Sequence, residues 1–128
     1  MVVPLLEWVQ GAGDLSAVES RNELARSYLV AGRAARAIPL YKRSLADCEQ
    51  VLGLYHPTTL RSRNNLAMSY RAAGRSAAAI PLLKRTLTDC ERVLGGDHRD
   101  TKAVRENLAA ALASAPREHP HTMRPWRR

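Results

Sequence analysis

The stretch DLSAVESRNELARSYLVAGRAARAIPLYKRSLADCEQVLG at residues 14–53 returns at residues 56–95 as HPTTLRSRNNLAMSYRAAGRSAAAIPLLKRTLTDCERVLG, shifted by 42 residues. Of the 40 aligned positions 24 are identical, so the two stretches are copies of one unit. A third copy opens at residues 98–116 and contains one predicted helix, and residues 7–11 match the end of a preceding copy. A period of this length is the signature of an array of stacked repeats.

Each copy predicts two α-helices. The apolar residues Ile38, Tyr41, Leu45, Cys48 and Leu52 are spaced by three and four, which is the helical period, and the second copy repeats that spacing. Neither helix can bury its apolar side alone, so successive helices must stack antiparallel across short connections. The predicted helices are 15–31, 34–52, 57–73 and 76–94, with about five full helices in all.

Proline and glycine mark the ends and one irregularity of these helices. Gly32 and Gly74 follow the first helix of each copy, where a left-handed residue commonly ends a helix. Pro39 and Pro81 lie about five residues inside the second helices and remove a backbone donor, so we expect a bend near each start.

The composition excludes several classes of protein. The chain has 128 residues, a net charge of +8, and 45% hydrophobic residues. It has no apolar run of membrane-spanning length and no basic segment before the first apolar run, so we expect a cytoplasmic protein without a membrane partner. Cys48 and Cys90 lie on the apolar stripes and are predicted to be core thiols, not a disulfide or metal site.

The sequence contains no motif for catalysis. It has no phosphate-binding GxxxxGK[ST] loop, no GxSxG, no CxxC and no HExxH. His56 and His98 begin equivalent helices, and we interpret them as helix caps or exposed residues, because no other ligands stand at metal-binding spacing. We therefore predict no enzymatic activity, no cofactor and no metal.

The residues Leu66, Ala67, Tyr70, Gly74 and Ala79 follow the spacing of the tetratricopeptide consensus, which the chain resembles over roughly residues 5–115. The usual tryptophan is replaced by arginine in all three copies. The 42-residue period resembles the longer subtype found in kinesin light chains and in actinobacterial regulatory ATPases. The resemblance implies an all-α solenoid of antiparallel helix pairs, wound as a right-handed superhelix.

The resemblance also implies a concave groove, lined by the first helix of each pair, that binds a peptide or partner protein. Asparagine can hydrogen bond to a peptide backbone as donor and acceptor, and arginine can hold a carboxylate, so an acidic partner is one expectation. Asn64 and Asn65 have two interpretations: one faces a partner, or one bridges neighbouring helices. The groove positions predicted to bind are Asn22, Arg26, Arg61, Asn64, Asn65, Met68 and Asn107, and Glu19, Glu23, Ala103 and Glu106 share the groove.

Three alternatives remain open at this point. Unfinished repeats at the two ends favour self-association into a homo-oligomer, and they also fit a truncated piece of a larger nucleotide-binding regulator. The basic tail, with Trp126 among arginines, makes nucleic acid a less favoured partner. We divide the chain into a partial helix (1–12), a first repeat (13–53), a second repeat (54–95), a half repeat (96–116) and a flexible basic tail (117–128).

Overall fold

A computed structural model of the chain describes residues 15–115. Within that range there are five α-helices and no strand, which confirms the all-α prediction. Every predicted helix end agrees with the structure to within one residue. The partial helix predicted for residues 1–12 and the tail at 117–128 lie outside the described residues. The helices are α1 (Leu15–Val30), α2 (Ala34–Leu52), α3 (Pro57–Ala72), α4 (Ser76–Leu94) and α5 (Arg99–Ser114).

Glycine ends the first helix of each of the two full repeats, as predicted. Gly32 and Gly74 have φ angles of 77° and 79°, a left-handed conformation that glycine adopts without strain. The Arg33 N–H then donates to the Tyr28 carbonyl at 2.8 Å, and the Gly32 N–H donates to Leu29 at 3.0 Å. This pair of bonds satisfies the last carbonyls of α1 and turns the chain sharply into α2.

His56 and His98 cap the helices that follow them. The Nδ1 atom of His56 accepts a hydrogen bond from the Thr58 N–H at 3.0 Å, and Nδ1 of His98 accepts from the Asp100 N–H at 3.0 Å. These bonds supply acceptors for amides that the first turn of a helix leaves unpaired. The capping interpretation of both residues is confirmed.

Each helix packs against its neighbours in the chain, and α3 also contacts α5. Small residues are buried at equivalent positions of the two helix pairs. Ala25 and Ala37 are fully buried in the first pair, and Ala67 and Ala79 are fully buried at the same positions of the second. Because alanine has no side chain beyond Cβ, these positions let the backbones of two helices come together.

The core is continuous from one repeat to the next. One cluster joins Ala25 of α1, Tyr41 of α2 and Leu66 of α3. A second cluster joins Leu60 of α3, Leu83 of α4 and Val104 of α5. Each cluster therefore draws on three consecutive helices, which is how a solenoid buries apolar faces that no single pair can cover.

Cys48 and Cys90 are free thiols in this core, and burial raises the pKa of both. Their backbone carbonyls accept hydrogen bonds from the next repeat. Thr59 Oγ1 donates to the Cys48 carbonyl at 3.3 Å, and Thr101 Oγ1 donates to the Cys90 carbonyl at 3.4 Å. The prediction of core thiols is confirmed.

Pro39 and Pro81 lie inside α2 and α4, and both helices continue through them. The bend expected at each proline stays a prediction, as does the handedness of the superhelix. Among the described residues, none of the helices combines the length and apolar character needed to cross a membrane.

Candidate functional site

A cavity of about 420 Å³ is lined mainly by the first helices, α1, α3 and α5. Cys48 and Cys90 reach it from the second helices. Met68 and Asn107 do not line it; Met68 is half-buried and Asn107 lies beside Asn64. Of the seven residues predicted to bind a partner, five line this cavity: Asn22, Arg26, Arg61, Asn64 and Asn65.

One asparagine pair bridges neighbouring first helices. The Asn107 Nδ2 atom of α5 donates to Asn64 Oδ1 of α3 at 3.0 Å. The interpretation of an asparagine as a bridge between helices is therefore correct for Asn64. Its amide oxygen is engaged by the protein itself.

The equivalent pair, one repeat earlier, does not form. Asn22 and Asn65 occupy the positions of Asn64 and Asn107, 42 residues back. In the described part of the chain they share no hydrogen bond, and Asn22 Oδ1 is buried without a partner. An unpaired buried amide oxygen is unfavourable because it has lost its water and gained no donor. Between α1 and α3, therefore, the described residues leave the Asn22 amide oxygen without a hydrogen-bond donor.

Arg61 is also engaged within the protein. Its Nη1 atom donates to Asp100 Oδ2 at 3.2 Å, and its Nη2 atom donates to Thr58 Oγ1 at 3.3 Å. The guanidinium expected to hold a partner's carboxylate therefore holds a carboxylate of α5. Together, Arg61–Asp100 and Asn64–Asn107 join α3 to α5 by side chains along the cavity.

Asp100 is a cavity residue that the sequence interpretation missed. It sits in the first turn of α5, at the position of Thr58 in the repeat before. A usable signal was present: first helices one repeat apart lie side by side, so residue 61 has neighbours near residue 103. The Asp100 carboxylate lies about one helical turn from residue 103, so the sequence alone indicates it as an ion-pair partner for Arg61.

Three of the four charged side chains of α1 make no ion pair within residues 15–115, and the fourth, Arg21, pairs with Asp47. Glu19 and Arg26 both line the cavity and are exposed, and neither has an ion-pair partner among the described residues. Glu23 instead lines a second, more open cavity of about 460 Å³, together with Arg26 and Val30. Ala103 lines the first cavity, whereas Glu106 lines neither.

The arginines that replace the consensus tryptophan form ion pairs with aspartates of the second helices. Arg63 Nη1 lies 2.7 Å from Asp89 Oδ2, and Arg63 Nη2 donates to the Leu54 carbonyl at 3.0 Å. Arg21 Nη1 lies 2.9 Å from Asp47 Oδ2. Arg63 is only 1% exposed, so this pair is part of the core. Its role is to hold α3, α4 and the preceding loop together.

The Asp89 carboxylate is stabilised in its charged form. Burial by itself would raise its pKa, but hydrogen bonds from Arg63 and Arg92, together with their positive charges, outweigh burial and lower the pKa. No cluster of three or more potential metal ligands occurs among residues 15–115. The polar groups of the site are thus suited to hydrogen bonding and charge pairing.

The sequence pattern of the tetratricopeptide repeat matches residues 16–92 and 64–117. No curated protein matches the chain. A crystal structure of nearly identical TPR-like repeats of a kinesin light chain from Podosopora anserina is 30% identical over 77% of this chain, with a TM-score of 0.71. A second crystal structure, of a variant of the same repeats, gives 30% identity and a TM-score of 0.68 over the same share. The chain spans 47% of the length of each of these structures.

Proposed function

The chain belongs to the tetratricopeptide repeat family, and from this premise we propose that it is a non-catalytic module that binds a peptide of a partner protein in the cavity lined by α1, α3 and α5. Members of this family generally mediate protein–protein interaction. The cytoplasmic location expected from the sequence belongs to the same proposal.

The uneven pairing of polar groups along the cavity carries this proposal. On the α3–α5 side, Arg61 and Asn64 have partners within the protein. On the α1 side, the Asn22 oxygen is buried and unpaired within the described residues. A peptide backbone presents both donors and acceptors at regular spacing, so it can satisfy the amides of Asn22 and Asn65 together.

Selection from a displayed library of random peptides tests the proposal. We expect clones that bind the full chain to lose binding to the Asn22→Ala/Asn65→Ala double variant. These two side chains suit the test because neither makes a side-chain hydrogen bond within residues 15–115, so their removal leaves the α3–α5 contacts intact. Loss of one or two hydrogen bonds predicts a drop in affinity of about tenfold.

The matched control is Arg85→Ala, an exposed side chain of α4 that does not line the cavity. Selected clones should bind this variant as they bind the unaltered chain. Clones that ignore the double variant, or a library that yields no binders, would contradict the proposal.

Self-association is a second candidate, and the exposure of equivalent leucines favours it. Leu66 is 5% exposed because α2 packs against it, whereas Leu24, at the same position of the first repeat, is 49% exposed. Leu112 of α5 is 51% exposed at the other end of the described helices. Two apolar end faces of one molecule suit association with further copies.

Residues of the basic tail proposed to meet nucleic acid lie outside the described range.

A further inference from the structure

The unpaired charges of α1 indicate the chemistry of the peptide. Resting on the proposed function, we infer that the cavity takes an extended peptide carrying a cationic and an anionic side chain about 10 Å apart, the cation over Glu19 and the anion over Arg26. The peptide backbone passes between Asn22 and Asn65.

Three residues of α1 on one face define this preference. Glu19, Asn22 and Arg26 are spaced by three and four residues, so all three project from the same side of α1 into the cavity. Each lacks what a ligand would supply: within the described residues Glu19 and Arg26 have no ion-pair partner, and Asn22 Oδ1 has no donor. The rest of the cavity adds no net charge, because Arg61 is paired with Asp100.

The spacing of the two charges selects the form of the ligand. Seven residues of α-helix place Glu19 and Arg26 about 10 Å apart along the axis. Three residues of polyproline II chain span about 9 Å, and the threefold period of that conformation returns residues i and i+3 to the same side. A peptide with opposite charges three positions apart therefore reaches both side chains at once.

The asparagine amide lies between the two charges. Asn22 is one turn from either charged residue, so the middle of a bound peptide passes over it. Asn22 Oδ1 is covered in the free protein, so a backbone N–H there donates to it after the Asn22 side chain rotates toward the cavity, and Asn65 across the gap is placed to accept or donate in turn. The ligand thus completes the link that Asn107 and Asn64 make directly one repeat further on.

Four synthetic peptides with blocked ends test the inference by fluorescence anisotropy against the full chain. Their central sequences are Lys-Ala-Pro-Asp, Lys-Ala-Pro-Lys, Asp-Ala-Pro-Asp and Ser-Ala-Pro-Ser. We expect the mixed-charge peptide to bind most tightly. Replacing one charge by its opposite should weaken binding on the order of fivefold, since each exposed ion pair contributes at most about 1 kcal/mol.

Charge reversal in the protein should move the preference in a defined way. Glu19→Lys should favour the peptide with two aspartates, and Arg26→Glu should favour the peptide with two lysines, whichever direction the peptide runs. Asp97→Lys and Arg85→Glu make the same charge changes at exposed residues outside the cavity and should leave the order of affinities unchanged.

A preference that follows the net charge of the protein, identical for cavity and control variants, would overturn the inference. So would equal binding of all four peptides, or no binding of any. The library selection described above distinguishes these failures: clones that need Asn22 and Asn65 but show no mixed-charge pattern would leave peptide binding standing and remove only the charge rule.

Discussion

At the scale of single residues, the arginine that recurs at one position of each repeat lies in a different environment in each copy. Arg63 is buried with Asp89 as its partner, Arg21 is partly exposed with Asp47, and Arg105 is half-exposed and lies 3.5 Å from Glu91 Oε2. Removing one partner of a charge pair is more costly the more deeply the remaining charge is buried away from water. Identical sequence positions therefore contribute unequally.

Replacing these arginines by leucine one at a time should show that inequality. We expect Arg63→Leu to lower the free energy of unfolding by about 3 kcal/mol, because buried Asp89 would keep only the exposed Arg92 as a partner and the Leu54 carbonyl would lose its donor. Arg105→Leu should lower it by less than about 1 kcal/mol, as for exposed pairs, with Arg21→Leu between them. Urea unfolding followed by circular dichroism measures all three, and equal losses would refute the ranking.

The Asp89 carboxyl also predicts how stability depends on pH. Its pKa in the folded protein lies below the ordinary value of 3.8, so the folded state holds this proton less tightly than the unfolded state. The resulting stabilisation is fully present above that ordinary value and is lost as pH falls through the lowered pKa. Unfolding measured from about pH 6 down to about pH 2 should show a decline that is shallower in Asp89→Asn, and parallel curves would contradict it.

At the scale of the helix, the ends of elements are determined by local chemistry. Helices α3 and α5 begin with a histidine whose Nδ1 accepts from the amide two residues on. The turn from α1 to α2 repeats between α3 and α4, where the Arg75 N–H donates to the Tyr70 carbonyl at 2.8 Å. Because these bonds involve residues close in the chain, they recur wherever the residues recur.

Removing one cap should have a small, local effect. His98→Ala should lower the free energy of unfolding by about 1 kcal/mol, the usual value for a lost N-cap acceptor. His98→Asn keeps a side-chain acceptor near the same amide and should recover most of the loss. Thermal unfolding of the two variants makes the comparison, and an alanine variant as stable as the asparagine variant would argue against the cap.

At the scale of the whole molecule, the described helices form a stack whose two ends differ from its middle. Leu24 of α1 is 49% exposed although its equivalent Leu66 is buried, and Leu112 of α5 is 51% exposed. In such an array each repeat contacts only the adjacent repeats, so the stability of each helix depends on the helices packed against it.

If the end faces associate, the mass measured by sedimentation equilibrium should rise with protein concentration. Leu24→Glu and Leu112→Glu should each return the protein to the mass of one chain, because a charge in an apolar interface is unfavourable. Ala46→Glu, at an exposed position of α2, is the control and should change nothing. A constant single-chain mass across micromolar concentrations would remove this candidate.

Much of the fold could be predicted, whereas less of the site could. The helix limits, the glycine turns, the histidine caps and the core thiols follow from periodicity and from residues near one another in the chain. Five of the seven residues predicted to bind a partner line the cavity, but the pairing of two of them within the protein was not predicted: Arg61 and Asn64 bind groups of α5 that lie 39 and 43 residues away. Such contacts depend on the offset between stacked helices.

The sequence alone determined the duplication, the five described helices and their order, because each depends on hydrophobic period and on local backbone preferences. Only the tertiary structure decided which copy of a repeated residue is buried, paired or open. Asn64 finds Asn107 while Asn22 does not bond to Asn65, and Arg63 is buried while Arg105 is exposed. The physical reason is that each copy of the repeat has similar residues, whereas the helices that surround a copy depend on its position in the stack.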